Sequence, residues 1–311
     1  MKPSHDLTSP ANVAHRFADA QATPATIPPS VNYHLLIPCN MRCRGCFATF
    51  HDVRSGVPSG MLPKEQSLKL VDALAASFEK VTFAGGEPTL CPWLPDLIRA
   101  AKTPGRTTML VTNGTRLNER FLDAVAGILD WVTLSIDSVD PAVHVALGRA
   151  VNGRALPAER YVEMAAAARL RGLGIKVNTV VSALNAEEDF TAFMRAVGPS
   201  RWKLLQVLPV DGQNDGSVEP LLISRERFLA FCGRHEHLRN DGIEVVPEDN
   251  EAMTGSYAMV DPAGRFFDNT AGRYRYSDPI LRVGLEPAWK QVTFHEDRFH
   301  DRGGVYDWSK G

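Results

Sequence analysis

Short apolar runs alternate with longer amphipathic stretches from residue 31 onward, and the two patterns have different periods. Runs rich in β-branched and aromatic residues predict strands. They lie at 31–37, 80–83, 107–111, 131–136, 175–181 and 203–207. Helical spacing predicts helices near 64–79, 92–102, 117–128, 158–172, 186–197 and 223–234. Strand and helix therefore alternate about six times, which predicts a parallel sheet with right-handed crossovers.

This alternation also predicts how the chain is divided. Six strand–helix units can close part of a barrel, so we predict an α/β fold with a partial (β/α)6 barrel over residues 31–210. After about residue 210 the alternation weakens, and residues 211–311 are predicted to form a C-terminal extension that helps to close and complete the site. Residues 1–30 are rich in Ala and Pro, and we expect a disordered N-terminal tail. Ligands of such sheets gather at the carboxyl ends of the strands.

Composition and charge narrow the class of protein. Of 311 residues, 44% are hydrophobic and 23% are charged, as in an ordinary soluble globular protein. The formal net charge of −2 gives no electrostatic basis for a nucleic-acid partner. No apolar run approaches the roughly 18 residues that a bilayer span requires, so we expect no membrane partner.

Three of the five cysteines lie within eight residues of one another. This spacing does not resemble the disulfide framework of a secreted protein. Thiols that lie close along a chain are typical of metal or redox chemistry in a reducing compartment. We therefore expect a cytoplasmic protein.

The clustered cysteines follow the first predicted strand with the spacing C-x3-C-x2-C. They are Cys39, Cys43 and Cys46. Three thiolates on one tight loop suit a [4Fe–4S] cluster in which the protein holds three irons and the fourth iron stays open. A structural zinc site is the alternative, because His51 offers the fourth ligand that zinc requires. The two remaining cysteines lack the paired spacing that is typical of zinc knuckles.

A second motif, Gly85-Gly86-Glu87-Pro88, follows the second predicted strand. Glycines let the backbone approach a ligand closely, and Glu87 offers acceptor oxygens for an amino group. It is not a dinucleotide-binding fingerprint, because the spacing G-x-G-x-x-G is absent. Taken alone, the same residues also suit a plain strand-to-helix turn.

Together the two motifs resemble those of the radical S-adenosylmethionine (SAM) superfamily. The resemblance implies a [4Fe–4S] cluster on the three cysteines, with SAM as the second cofactor. It also implies that the strand ends of the barrel line the SAM pocket, with Ser135 and Arg149 at the SAM carboxylate. The implied cofactor-binding residues are Gly85, Gly86, Glu87, Pro88, Asn113, Ser135 and Arg149.

A narrower resemblance, to the viperin-like radical SAM enzymes and their prokaryotic members, extends over about residues 31–310. Its matching segments include 31–34, 147–149, 176–178, 185–189, 201–203 and 302–304. It implies dehydration of a ribonucleoside triphosphate (CTP, UTP or GTP) to its 3′-deoxy-3′,4′-didehydro form, an antiviral chain terminator. It also implies an electron donor such as a flavodoxin or ferredoxin.

Basic residues on or beside predicted strands suit a triphosphate. They are Lys80, Lys176, Arg201 and Lys203. A triphosphate carries about four negative charges and is bound by clustered Lys and Arg. Exposed strand ends would carry the same residues without a ligand, so it is the resemblance that favours phosphate binding.

Three further residues are assigned to the substrate by the resemblance. Asn32 and Asn178 are predicted to contact phosphate, ribose or base, because an amide both donates and accepts hydrogen bonds. Tyr257 is predicted to donate a hydrogen atom to the substrate radical. A buried tyrosine with a satisfied hydroxyl is the alternative.

Other functions stay open at this point. A radical SAM enzyme that modifies peptides or builds cofactors often carries extra cysteines for auxiliary clusters, and only Cys232 lies beyond residue 91. A zinc-stabilised binding protein would hold no iron. The chain also departs from the animal viperin pattern, because Ala84 replaces a serine and the residues between 272 and 281 differ. These differences leave the base preference open.

Overall fold

A computed structural model describes residues 26–308 of the chain. The strands are β1 (Ser30–His34), β2 (Lys80–Ala84), β3 (Thr107–Thr112), β4 (Trp131–Ser135), β5 (Gly174–Val181), β6 (Arg201–Gln206), β7 (Glu244–Glu248), β8 (Met259–Val260), β9 (Arg265–Asp268) and β10 (Arg275–Pro279). The helices are α1 (Lys64–Ser77), α2 (Leu94–Lys102), α3 (Glu119–Val125), α4 (Pro141–Ala146), α5 (Ala158–Arg169), α6 (Thr191–Val197), α7 (Arg225–His235), α8 (Asn250–Met253), α9 (Ile280–Val283), α10 (Leu285–Trp289) and α11 (Glu296–Asp301). Within residues 26–308, no helix combines the length and apolar character needed to cross a bilayer.

All ten strands form one sheet in the order β10-β9-β8-β1-β2-β3-β4-β5-β6-β7. Strands β1 to β7 pair in parallel and in chain order, with a helix between each consecutive pair. This is the arrangement that right-handed strand–helix–strand units produce. The predicted α/β architecture is therefore confirmed, and the six predicted strands are β1 to β6.

The C-terminal third adds strands to both edges of this sheet. Strand β7 extends it beyond β6, while β8 returns to pair in parallel with β1. Strands β9 and β10 then continue antiparallel. The division of the chain at residue 210 stays a prediction, and the tail predicted for residues 1–30 lies, apart from 26–30, outside the described residues.

Alternation along the strands separates the core from an inner cavity, because successive side chains point to opposite faces. In β1, Val31 and Tyr33 belong to the apolar core under the helices, while Asn32 faces the cavity. In β5, Val177 packs in the core and Lys176 lines the cavity. The same period that builds the sheet therefore also places polar side chains inside it.

Candidate active site

A cavity of about 300 Å³ is enclosed by β1 to β6 and by residues of the C-terminal third. All of the predicted site residues line it except Pro88 and Arg201. Pro88 is buried in the turn that follows Glu87. The Arg201 side chain lies behind the wall, where it donates a hydrogen bond to the Gly303 carbonyl at 2.8 Å and pairs with Glu244. Folding thus brings residues from most of the chain to one space.

The three clustered cysteines lie together on the cavity wall. Cys39, Cys43 and Cys46 are half-buried free thiols. Burial raises the pKa of each thiol, that of Cys46 to about 12. A bound metal cluster favours the thiolate form and would reverse this effect. Unpaired thiols on one loop that faces a cavity fit the ligand set of an iron–sulfur cluster.

The zinc alternative finds no support in this geometry. Zinc requires four ligands around one ion, whereas a cubane cluster takes one thiolate per iron and leaves one iron open. His51, the fourth ligand considered for zinc, is exposed and lies outside the cavity lining.

The glycine turn packs against the chain that enters the cysteine loop. A Cβ on Gly85 would lie 2.8 Å from the Leu36 carbonyl oxygen, and one on Gly86 would collide with the Pro38 carbonyl. Two backbone hydrogen bonds close this contact, from Gly86 N to Leu36 O at 2.7 Å and from Glu87 N to Pro38 O at 2.9 Å. On this side the glycines allow a close approach of two backbone segments, whereas the sequence interpretation invoked the approach of a ligand.

A third glycine supports the cysteine loop from the other side. Arg42 N donates to the Gly148 carbonyl at 3.1 Å, and Arg44 N donates to the Leu147 carbonyl at 2.9 Å. Gly148 has a φ of +76°, and a Cβ there would collide with the Arg42 carbonyl. The loop is therefore held between two glycine contacts that leave no space for larger residues.

Glu87 ties the second strand end to the third. It is buried, and its Oε1 accepts hydrogen bonds from Thr89 N at 3.1 Å and Thr112 Oγ1 at 2.7 Å. Its Oε2 accepts from Asn113 N at 2.8 Å, and Asn113 Nδ2 in turn donates to Asn40 Oδ1 at 2.9 Å. Since Oε2 accepts only this one bond from the described residues, it keeps capacity for a ligand, and the contact of Glu87 with SAM stays a prediction.

Arg149 is fixed beside the cysteines by a carboxylate that the sequence analysis did not assign to the site. Its Nε donates to Asp137 Oδ2 at 2.7 Å, and its Nη1 donates to the Ser135 carbonyl at 3.3 Å. Burial lowers the pKa of the guanidinium, but Asp137 more than offsets this, so the net shift of the pKa is upward. Arg149 therefore presents a permanent positive charge to the cavity, which fits a carboxylate ligand.

At the opposite end of the cavity, two lysines are buried without a carboxylate. Lys80 is 6% exposed and Lys176 is 7% exposed, and neither forms an ion pair with any residue in the range 26–308. Lys80 Nζ lies 3.4 Å from Tyr306 Oη and 4.5 Å from the centre of that ring. Burial lowers the pKa of both lysines well below the usual value. Unpaired buried cations cost free energy unless an anion joins them.

A third lysine shares one buried carboxylate with an arginine. Lys203 pairs with Glu248 and donates to Tyr257 Oη at 2.9 Å. Burial lowers the pKa of Lys203 to about 7, although Glu248 acts in the opposite direction. Arg302 lies 3.5 Å from Glu248 and stacks on the Tyr257 ring at 3.5 Å. Burial raises the pKa of the Tyr257 hydroxyl well above its usual value, so this group keeps its proton.

These cations form what we call the basic cluster: Lys80, Lys176, Arg201, Lys203 and Arg302. Lys80 and Arg201 are the first residues of β2 and β6, so the cluster lies toward the amino ends of the strands. The cysteine loop follows the carboxyl end of β1 and therefore lies at the other end of the cavity. The preference of ligands for carboxyl ends does not extend to these basic residues.

Some residues in the basic cluster or in contact with it were given no role by the sequence analysis. Arg302 lies in a segment that carries the family resemblance, and that segment is the signal that would have identified it. Glu248 follows an ordinary strand pattern, and Tyr306 lies in an irregular tail, so no local motif marks them.

Polar residues occupy the middle of the cavity. Asn32 and Asn178 line it, and Asn178 pairs in register with Ser135 on one side and Lys203 on the other. The buried Oδ1 of Asn178 has no hydrogen-bond partner among the described residues. A buried acceptor without a partner suits a ligand that carries hydroxyl groups.

Comparisons with known proteins agree with this arrangement. Residues 38–197 match the Radical SAM superfamily. The chain is 48% identical over 284 residues to the S-adenosylmethionine-dependent nucleotide dehydratase of Lacinutrix mariniflava, covering 90% of the chain and 59% of that protein. It is 46% identical over 282 residues to the protein of the same name from Flammeovirga pacifica, covering 90% and 96%. The chain thus spans less than two thirds of the first relative and nearly all of the second.

Solved structures share the fold. Streptococcus suis SuiB bound to S-adenosylmethionine superposes with a TM-score of 0.64, covering 90% of the chain and 68% of SuiB. The two sequences are 14% identical, so the likeness is one of fold.

Proposed function

The chain belongs to the radical SAM superfamily and, within it, to the S-adenosylmethionine-dependent nucleotide dehydratases, and we propose that it dehydrates the ribose of a ribonucleoside triphosphate. The product would be the 3′-deoxy-3′,4′-didehydro nucleotide, which terminates RNA chains and gives the protein an antiviral role. The observation that supports the triphosphate is the basic cluster, in which Lys80 and Lys176 are buried and have no carboxylate partner within residues 26–308. Beyond the three clustered cysteines the sequence has only Cys91 and Cys232, which do not form the closely spaced set that an auxiliary cluster of a peptide- or cofactor-modifying enzyme requires.

The enzyme uses a [4Fe–4S] cluster and SAM, as its superfamily does. We propose that Cys39, Cys43 and Cys46 hold three irons, and that the remaining iron is left for SAM. Arg149 and Ser135 would bind the SAM carboxylate, while the free capacity of Glu87 Oε2 suits the SAM amino group. When bound, the two cofactors supply the 5′-deoxyadenosyl radical that removes a hydrogen atom from the substrate.

The reaction sets requirements for the residues around the ribose. The ribose loses the hydrogen atom on C4′ and the hydroxyl on C3′, so the departing hydroxyl needs one proton and the sugar then needs one electron. A hydrogen atom from the Tyr257 hydroxyl would supply both. Its raised pKa keeps that hydrogen in place, and Lys203 and Glu248 hold the hydroxyl in position. One electron from an external donor and one proton from solvent would then restore the tyrosine.

The order of groups along the cavity suggests how the substrate lies. The triphosphate would occupy the basic cluster at the amino ends, and the ribose would lie in the middle against Asn32 and Asn178. This places C4′ between the phosphate end and the cysteine end, where the radical forms.

CTP, UTP and GTP are the candidate substrates, and a small one-electron carrier such as a flavodoxin or ferredoxin is the proposed reductant. The free thiols suit the reducing cytoplasm.

An anaerobic assay tests this proposal. The reconstituted protein is incubated with SAM, dithionite and each of the four ribonucleoside triphosphates deuterated at C4′. For the preferred base we expect deuterium in 5′-deoxyadenosine and a nucleotide that has lost the C4′ deuterium and the C3′ hydroxyl, with a weaker response to the monophosphate. Equal SAM cleavage with triphosphate, monophosphate and no nucleotide, without label transfer, would refute nucleotide dehydration.

The Cys43→Ala protein should bind less iron on reconstitution, whereas the Cys232→Ala protein should bind as much iron as wild type.

A further inference from the structure

A buried histidine on α4 binds the backbone of the turn that follows β4. His144 is 1% exposed and lies outside the cavity lining. Its Nε2 accepts two hydrogen bonds, from Asp137 N at 3.3 Å and from Ser138 N at 3.0 Å. Neither N–H has another acceptor among residues 26–308, and both residues are buried. The imidazole therefore satisfies two buried donors that would otherwise have no partner.

These two bonds define the chemical state of the imidazole. A backbone N–H can only donate, so Nε2 is the unprotonated nitrogen and the ring proton lies on Nδ1. Burial lowers the pKa of His144 to about 4, although Asp137 acts in the opposite direction. The ring is therefore neutral near pH 7 and can serve as an acceptor.

The turn held by His144 carries the carboxylate that orients Arg149. Asp137 Oδ1 accepts Val180 N at 2.9 Å, and Asp137 Oδ2 accepts Arg149 Nε at 2.7 Å. Arg149 N also donates to the main-chain carbonyl of His144 at 2.8 Å. His144 is thus bonded to both members of the ion pair, to Asp137 through its ring and to Arg149 through its backbone. Both members line the cavity at the cysteine end.

We propose that His144 is a positioning residue for SAM, which holds Asp137 and, through it, keeps Arg149 oriented toward the SAM carboxylate. This inference rests on the proposed function, because the assignment of Arg149 to that carboxylate belongs to it. His144 does not line the cavity, so it acts only through these contacts. Its relation to Arg149 resembles that of the hydrogen-bond partners that orient the ligands of a metal.

The nitrogen of the ring, and not only its bulk, is what this role requires. The ring edge packs against Tyr161, with 6.0 Å between the ring centres, and an apolar side chain could fill the same space. Such a side chain would leave the N–H groups of Asp137 and Ser138 buried without an acceptor, which is costly. The turn would have to move to reach other partners. Since Asp137 moves with it, Arg149 would lose its present orientation.

The test changes the acceptor and keeps the length of the side chain. His144→Gln places an amide oxygen close to the position of Nε2, whereas His144→Met fills a similar volume with only a weak acceptor. His235→Met is the matched control. His235 is also fully buried, its Nε2 accepts Phe190 N at 2.9 Å, and it lies on α7 outside the cavity lining. The control therefore removes the same kind of acceptor at a place that forms no hydrogen bond with Asp137 or Arg149.

Binding of SAM and of inorganic triphosphate to the reconstituted proteins is measured by anaerobic calorimetry. We expect His144→Met to weaken SAM binding by about tenfold, the lower end of what the loss of an orienting partner costs at metal sites. Triphosphate binding and iron content should not change. His144→Gln should bind SAM like wild type, and His235→Met should lower the melting temperature without affecting SAM. In an Arg149→Gln background, His144→Met should have no further effect on SAM binding, because the two residues act through one contact.

Wild-type SAM affinity in His144→Met, or equal losses in His144→Met and His144→Gln, would overturn the proposal. So would an equal loss in His235→Met, which would attribute the effect to general destabilisation. Normal SAM binding by Arg149→Gln would overturn the assignment of Arg149 and this inference with it. SAM binding is scored without nucleotide, so nucleotide dehydration can fail while the role of His144 is upheld, or the reverse.

A measurement on the wild-type protein applies even if His144→Met does not fold. Long-range ¹H–¹⁵N spectra of protein labelled with ¹⁵N-histidine show which ring nitrogen carries the proton, and the His144 signals are identified by their absence from His144→Gln. We expect a neutral ring with the proton on Nδ1 at pH 7. A proton on Nε2 would overturn the proposal, because that nitrogen could then accept neither N–H.

Discussion

At the scale of single residues, the main feature is that several Lys and Arg side chains are buried in the free protein with too few carboxylates beside them. Lys80 and Lys176 have no carboxylate partner among the described residues, and Lys203 shares Glu248 with Arg302. Desolvation of these cations works against the free protein, and a bound polyphosphate would convert that cost into affinity. The charges of the basic cluster would therefore be better balanced with a polyphosphate bound than in the free protein.

This arrangement predicts a specific dependence of nucleotide binding on pH. The pKa of Lys203 is lowered to about 7 in the free protein, and a bound triphosphate would raise it toward the ordinary lysine value. Binding must then be accompanied by proton uptake above pH 7. Affinity should fall between pH 7 and 9, by up to about tenfold per pH unit for each lysine that takes up a proton.

Isothermal titration calorimetry at several pH values, in two buffers of different ionisation enthalpy, measures both the affinity and the proton uptake. The matching nucleoside, which has no phosphates, serves as the control and should show little change over this range. A triphosphate affinity that stays constant from pH 7 to 9, with no buffer dependence of the heat, would contradict the assignment.

Sequence reasoning found most of these charges but not all of them. Lys80, Lys176 and Lys203 are conspicuous because lysine is unusual within buried strands. Arg302 lies outside any strand, and its closeness to Tyr257 depends on long-range folding. Asp137 and Glu248 were missed because a carboxylate that neutralises a site cation carries no spacing signal of its own.

At the scale of elements, the glycine contacts around the cysteine loop decide whether the thiols can be positioned. Gly86 packs on the backbone that enters the loop, and Gly148 packs on the loop itself. These contacts are between backbone segments, so no side-chain rotation can relieve the collision that a larger residue would cause. The metal site therefore depends on turns that supply no metal ligand.

We predict that Gly148→Ala reduces iron loading, whereas Gly153→Ala does not. Both glycines have a positive φ, +76° and +75°, so both substitutions carry the same backbone strain of about 1–2 kcal/mol. Only at Gly148 does the new Cβ collide, with the Arg42 carbonyl, whereas nothing lies within 4 Å at Gly153. Iron per chain after anaerobic reconstitution is the measurement, with circular dichroism as a check on folding. Equal iron content in the two variants would show that the contact does not position the loop.

The strands and helices themselves were largely predictable. Strand β2 begins at Lys80 as expected, and the other predicted strands differ by at most three residues at either end. Their apolar runs are long enough to show a period. The exceptions are short: α4 has six residues and β8 has two. Elements of that length show no period, and their positions depend on contacts made elsewhere in the fold.

At the scale of the whole molecule, the cavity joins two chemically different ends. Arg149 and the cysteines lie at one end, and the basic cluster lies at the other. The alternation of strand and helix predicted the barrel, but not that the buried basic residues would lie toward the amino ends of the strands. That placement also needs Arg302 and Tyr306, which reach the cavity from the end of the chain.

We predict that the two ends bind their ligands separately. Lys176→Met should weaken triphosphate binding by about ten- to a hundredfold, since one charge-assisted contact contributes roughly 1.5–3 kcal/mol. It should leave SAM binding intact, and it should not lower the melting temperature, because it removes an unpaired buried charge. Arg149→Gln should weaken SAM binding and spare the triphosphate.

Both affinities are measured by calorimetry on reconstituted protein. Lys69→Met, on the exposed face of α1, controls for the loss of one positive charge. If each variant weakened both ligands to the same extent, the division of the cavity into two ends would be wrong.

The pairing of β8 with β1 also bears on how the protein is made. A ribosome produces β1 before β2 to β7, which can each add to the preceding strand as they emerge. The other edge of β1 stays unpaired until Met259 and Val260 of β8 have been made. An uncovered strand edge invites pairing with another molecule. Chains released before residue 260 would therefore tend to aggregate, and the basic cluster is completed only when Arg302 has also been made.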